Sequence, residues 1–231
     1  MIKYLQLPFY FDAVQMQQEL QQLTGNQWQL HYQKKHYDGE WSAIPLRSSN
    51  GAADNVLIDV TNDAVYTNTS LLLQSPYLTE VLQTFKCNLQ AVRLLKLGAG
   101  AVIKEHRDAE LYFEKGFFRI HIPVLTNDAV EFCLDGEQLQ LKEGECWYMN
   151  FNLPHSLQNK GITDRVHLVI DGEVNDWVKK LFNHSDVLNK KEISEHALYG
   201  NEEKQKIIDA LRMMNTAVGN KLADEMENSK D

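Results

Sequence analysis

Residues 94–108, LLKLGAGAVIKEHRD, and 154–171, PHSLQNKGITDRVHLVID, decide how this chain reads. The first ends in His106-Arg107-Asp108. His155 follows forty-seven residues after Asp108, and Arg165 ten residues after His155. Two imidazoles and one carboxylate suit a redox metal. Held on one side of an ion they leave the other side open, which is the ligand set of non-haem Fe(II) centres. His106 and Asp108 are two apart, so an extended segment sends both from one face. Two ligands from one short segment and a third from a distant one suit a site between two sheets. Arg165 is then the natural anion clamp, because guanidinium grips a carboxylate through two parallel hydrogen bonds and keeps its charge.

By itself His-x-Asp is a weak signal, and a solvated turn is its commonest meaning. Two later segments strengthen it: Phe118-Arg119-Ile120-His121-Ile122-Pro123 and Asp164-Arg165-Val166-His167-Leu168-Val169. In each, Arg and His share one face and aliphatics the other. Either the Arg/His face is wet, or some of these cations converge on a buried anion. Periodicity does not separate the two accounts.

The composite resembles the aspartyl/asparaginyl β-hydroxylase family of 2-oxoglutarate-dependent oxygenases, which includes bacterial proline hydroxylases. The pieces are Leu97-Gly98-Ala99-Gly100, His106-Arg107-Asp108, Arg119-Ile120-His121-Ile122-Pro123, Gly144-Glu145-Cys146-Trp147, Pro154-His155-Ser156 and Arg165 to Asp171. Order and spacing agree. The family's usual Pro-Gly before the first ligands is replaced by Gly-Ala-Gly.

The resemblance implies Fe(II) on His106, Asp108 and His155, with 2-oxoglutarate as cosubstrate. Arg165 is expected on its distal carboxylate, with Arg119 and His121 as helpers in the cosubstrate pocket. It also places an Arg at the position of Arg93 near the amino-acid carboxylate in the proline-hydroxylating branch. Arg93 lies in the apolar run Ala91-Val92-Arg93-Leu94-Leu95, where a cation must reach water or find an anion. A structural ion pair would serve equally. His167, Trp147 and Phe151 read as structural.

The implied activity is hydroxylation of an unactivated C–H, with O2 consumed and succinate and CO2 as co-products. The substrate would be an amino acid, or an Asp, Asn or Pro residue in a peptide. The rival is a non-catalytic cupin-like module that binds metal or 2-oxoglutarate as a signal. A complete triad with Arg165 favours the enzyme, since a sensor needs no open oxygen site.

Composition sets limits on the rest. The 231 residues, 43% hydrophobic, are enough for one domain with a core. The expected division is 1–88 for an N-terminal helix and strand region, 89–171 for the core with the metal, and 172–231 for a helical segment. A formal charge of −9 without a basic run argues against nucleic acid as a partner. No stretch is long and apolar enough for a membrane span or a signal peptide. Three cysteines, Cys87, Cys133 and Cys146, with no CxxC spacing suit reduced thiols and a cytoplasmic location.

Along the chain, 2–7 reads as a strand and Asp12 to Leu23 as an amphipathic helix ended by Thr24-Gly25. Trp28 to Tyr32 and Trp41 to Leu46 read as strands, Asn55 to Asn68 is ambiguous, and Pro76 to Phe85 is a helix. Seven short strands follow, at 90–97, 102–105, 117–124, 129–134, 137–142, 146–151 and 165–170. Asp135-Gly136 marks a hairpin. Pro154-His155-Ser156 taken alone is a polar turn. The fold expected is mainly β with flanking helices, around a double-stranded β-helix, the cupin-like jelly roll. Asn175 to Phe182 and Glu202 to Ala217 read as helices. The stripe Ile207, Leu211 and Met214 should pack, and the residues from Asn220 on should fray. The last segment is either a lid or a brace.

Overall fold

A computed structural model describes residues 1–23, 27–58, 64–108, 111–183, 188–192, 201–214 and 216–228. Two compact units emerge: Ile2–Lys191, and Glu192–Asp231 together with Met1. Thr24-Gly25 and residues 59–63 lie outside the described residues.

The larger unit begins with β1 (Ile2–Tyr10) and α1 (Ala13–Leu23). Asp12 starts that helix, its carboxylate accepting from the Val14 and Gln15 amides. The short β2 (Gln29–Leu30) and β3 (Tyr37–Asp38) precede β4 (Trp41–Ser48). The ambiguous stretch ends in β5 (Thr67–Asn68), and Thr69 caps α2 (Ser70–Leu73). Next comes α3 (Pro76–Gln83), whose first amides, of Tyr77 and Leu78, donate to the buried Glu19 carboxylate of α1.

The strand-rich half holds β6 (Leu89–Leu97), β7 (Val102–His106), β8 (Phe117–Leu125), β9 (Val130–Leu134), β10 (Glu137–Leu139), β11 (Glu145–Met149), β12 (His155–Asn159) and β13 (Arg165–Glu173). Then follow α4 (Asp176–Phe182), capped by Asn175, and β14 (Leu188–Glu192). Nine strands form one sheet in the order β14-β1-β11-β8-β13-β6-β4-β2, with β5 on β4. Five form the other, β10-β9-β12-β7-β3. Two sheets of antiparallel pairs make the expected jelly roll.

Asp135 and Gly136 both take positive φ, 49° and 75°, between β9 and β10, as a type I′ hairpin requires. The strand expected at 137–142 stops at Leu139. β12 lies where the local sequence reads as a turn, because Pro154 and Ser156 mask a strand held only by its neighbours β9 and β7.

The large sheet is buried on both faces. On β13, Val166, Leu168 and Ile170 join Phe118, Ile120 and Ile122 of β8 in a core shared with Met16, Leu20, Leu78, Val81 and Phe182 from the helices. Full burial of each such side chain contributes roughly 1.5–3 kcal/mol. The alternate residues Arg165, His167, Val169 and Asp171 form the opposite face, also buried. The wet-face account of the Arg/His stripe is thereby excluded.

In the smaller unit, α5 (Asn201–Met213) and α6 (Ala217–Asn228) pack on each other, and Arg212 pairs with Asp224 and Glu227. Ile208 is its buried residue on α5, while Met214 of the expected stripe is 67% exposed. Residues from Asn220 to Asn228 are helical rather than frayed, because Ala223 finds cover.

Candidate metal centre

His106 closes β7 and His155 opens β12, and the register pairs them directly across the strands. A bulge between His155 and Leu157 sits beside this pair, a common device for re-aiming side chains at a site. Asp108 lies just past β7, its amide donating to the Phe151 carbonyl at 2.9 Å. The ligand atoms of His106, Asp108 and His155 all lie within 4.8 Å of one another. His106 Nε2 and Asp108 Oδ1 are 3.7 Å apart. Neighbouring ligands on one ion at ~2.1 Å would stand about 3 Å apart, so a small rotation suffices.

Both imidazoles are oriented alike. His106 Nδ1 meets the Lys104 carbonyl at 2.7 Å and His155 Nδ1 the Leu153 carbonyl at 3.0 Å. A carbonyl only accepts, so each Nδ1 carries the proton and each Nε2 keeps its lone pair for a metal. Burial, ahead of its neighbours, lowers the His155 pKa to about 4, leaving it neutral at pH 7. Burial alone would raise the Asp108 carboxyl, but Arg119, His155 and His106 hold it below the usual range. Two imidazoles presenting Nε2 and one carboxylate fit a divalent redox ion with open positions.

Arg119 and Arg93 are occupied by protein carboxylates. Arg119 donates to Asp108 and, through two nitrogens, to Asp171, and Arg93 also donates to Asp171. Arg165 differs. It is 4% exposed, and among the described residues no carboxylate pairs with it. Its Nε has no partner, and its Nη2 meets only His167 Nδ1, at 2.7 Å. Burial pulls its pKa down to about 9, so it stays charged at pH 7. His121, wholly neutral because of burial, also keeps Nε2 without a partner.

These groups form one train from the clamp to the ligands. Arg165 touches His167, whose Nδ1 lies 3.3 Å from that of His121. His121 stacks on Phe151 at 4.9 Å between centroids, and Phe151 meets His155 edge-on at 4.8 Å. Phe151, read as core, is core and site wall together. Arg165 and His167 also line a cleft of about 530 Å³ with Tyr10, Asn127 and Phe132. The three ligand residues do not line that cleft.

One wall escaped the sequence reading. His31 is sandwiched between Trp41, at 3.5 Å, and Tyr32, at 4.6 Å. Burial, with Arg93 nearby, lowers its pKa to about 3. The pairing of β3 with β7 brings the His36 ring to 5.2 Å from His106. The available signal was density: five aromatic or imidazole residues lie between His31 and Trp41, counting both ends.

Residues 11–174 match the family described as Aspartyl/Asparaginyl beta-hydroxylase. An L-proline cis-4-hydroxylase of Rhizobium meliloti (strain 1021) is 31% identical over 137 residues, 58% of this chain and 48% of that protein. L-proline cis-3-hydroxylase 1 of a Streptomyces species is 28% identical over 141 residues, 58% of this chain and 47% of that protein. The chain thus spans about half the length of the curated relatives it matches. A 2OG-Fe(II) oxygenase family oxidoreductase from Burkholderia pseudomallei superposes with a TM-score of 0.42 at 12% identity, covering 59% of this chain and 68% of that one. With the match running through both sheets and all three ligand positions, the chain belongs to the aspartyl/asparaginyl β-hydroxylase family.

Proposed function

We propose that this chain is an Fe(II)- and 2-oxoglutarate-dependent dioxygenase that hydroxylates an unactivated C–H of a free amino acid, with L-proline the first candidate. The observation that carries the reading is the juxtaposition of a lone-pair-ready His-Asp-His set with Arg165, a buried cation with no carboxylate partner among the described residues. When bound, Fe(II) would activate O2, which is the oxidant, and 2-oxoglutarate would give up two electrons and leave as succinate and CO2.

The chain's own residues account for the remaining work. His106 and His155 present Nε2, held by backbone carbonyls, and Asp108 presents one oxygen while Arg119 holds the other. Arg165 offers Nε to the distal carboxylate of the cosubstrate, and His167 and His121 back it on the same buried face. Arg93, Arg119 and Arg165 stand against Asp108 and Asp171, an excess of one positive charge that a bound divalent ion would raise to three, which favours anionic ligands. Arg93 keeps Nε unpartnered while Nη2 holds Asp171, which leaves a donor for a substrate carboxylate. Phe151 and the His31–Trp41 stack exclude water around the ligands.

The three cysteines are free thiols, and no described helix is long and apolar enough to cross a membrane. The thiols suit the cytoplasm. The test is anaerobic titration with Fe(II) and then 2-oxoglutarate, followed by a screen of L-proline, other amino acids and short peptides for substrate-dependent succinate. A charge-transfer band on adding 2-oxoglutarate and succinate release with an amino acid are expected. Absence of the band would refute the cosubstrate assignment, and binding without succinate from any substrate would favour a sensor.

A further inference from the structure

We propose that Asp171 is a positioning residue for the metal: acting through Arg119, it makes Asp108 a one-oxygen ligand. This rests on the metal reading of His106, Asp108 and His155 and deepens it.

The arrangement begins in strand register. β13 pairs with β8 so that Asp171 stands opposite Arg119, and with β6 so that Val169 stands opposite Arg93. Opposite and diagonal neighbours on one face lie within reach of an arginine. Arg119 then uses its whole fork. Nε donates to Asp171 Oδ1 at 2.6 Å, Nη2 to Asp171 Oδ2 at 2.9 Å, and Nη1 to Asp108 Oδ2 at 2.6 Å. Arg93 Nη2 donates to Asp171 Oδ2 at 2.9 Å. Asp171 is 1% exposed and Arg119 6%, so water does not compete for the bonds to Asp171.

Guanidinium is planar and rigid, so two nitrogens fixed on Asp171 aim the third. That third nitrogen takes Oδ2 of Asp108. Oδ1, the oxygen facing His106 Nε2 at 3.7 Å, is left for the ion. A carboxylate confined to one oxygen occupies one position instead of two, preserving the open side of the centre. If Asp171 only neutralised Arg93 and Arg119, its loss would alter stability without changing the ligand set.

Co(II) titration of the metal-free protein separates these roles, because the visible Co(II) bands report coordination number and each titration yields an affinity. Asp171→Asn and Arg119→Lys are each expected to lower Co(II) affinity ten- to a hundred-fold, the range for outer partners of metal ligands, and to shift the bands. The double variant should bind no more weakly than the worse single one, since both break the same link. Arg119→Lys keeps the buried charge and supplies the answer if Asp171→Asn does not fold. Affinity and spectrum within two-fold of the parent, or additive losses in the double variant, would overturn the proposal while the metal site stood. A parent protein that does not bind Co(II), or His155→Ala binding as well as the parent, would overturn the metal reading and this inference with it.

Discussion

Replacing Arg165 by Met should move stability and binding in opposite directions. The guanidinium is 4% exposed, and among the described residues its Nε has no partner and its Nη2 meets His167 Nδ1 at 2.7 Å. Burial brings its pKa from 12.5 to about 9. At 1.36 kcal/mol for each pH unit this corresponds to a cost on the order of a few kcal/mol. The hydrogen bond to His167 returns about 1.5–3 kcal/mol. Met, of similar reach and without charge, removes both, and such exchanges leave a protein unchanged or more stable by about 1–4 kcal/mol. For a domain of this size a gain of 1 kcal/mol raises Tm by roughly 2–4 °C. The ligand-free Met variant is therefore expected to melt several degrees above the parent. Binding should fall at the same time. Two charge-assisted hydrogen bonds to the distal carboxylate contribute roughly 1.5–3 kcal/mol each. Losing both weakens 2-oxoglutarate by at least about a hundred-fold, while Arg165→Lys, which keeps one, loses about ten- to a hundred-fold. The Fe(II) constant should hardly move in either variant. Melting scans without ligand, and separate Fe(II) and 2-oxoglutarate titrations, read all three quantities. A Met variant that is less stable and binds 2-oxoglutarate as the parent does would show that Arg165 serves the fold and not an anion.

Alanine at His106, Asp108 or His155 should abolish turnover with the fold intact, and should weaken Fe(II) by more than the ten- to hundred-fold typical of an outer partner; near-normal activity in any one variant removes that residue from the ligand set. The metal-free protein should lose stability as pH falls. The unfolded chain protonates His31 near pH 6.5 and the folded one only near 3, so stability rises with pH between these values, by about 1.4 kcal/mol per pH unit. His121, His155 and His167, whose pKa values burial also lowers, add to that slope. His31→Phe, which keeps a ring against Trp41, should therefore reduce it by the His31 share without removing it in urea titrations at pH 7 and pH 5; an unchanged slope would clear His31 of the effect. Gly172→Ala should cost about 1–3 kcal/mol, because its Cβ would stand 2.5 Å from Cζ of the fully buried Phe118. Chemical denaturation measures the loss, and a neutral result would mean that Phe118 can yield.

The fold class was legible in the sequence, and the three candidate ligands were legible through the order and spacing of the whole composite. His106 and Asp108 share a strand-end face, Asp135-Gly136 has the backbone freedom of its turn, and the alternation on β8 and β13 is local chemistry that needs no partner to be read. The Arg/His face was the first ambiguity, because period 2 states that a face is polar and not whether it is wet. Closure of the second sheet over it decided that point. β12 was lost because its backbone bonds come from β7 and β9, some twenty to fifty residues away in the chain. The roles of the three arginines depend on the same long-range register. Arg119 and Arg93 meet Asp171 only because β8 and β6 flank β13, and Arg165, six residues away on the same strand face, finds no carboxylate among the described residues. Three guanidinium groups that look equivalent in the chain thus differ in the fold, since a buried cation is defined by the anion it meets, and only tertiary structure brings that anion near.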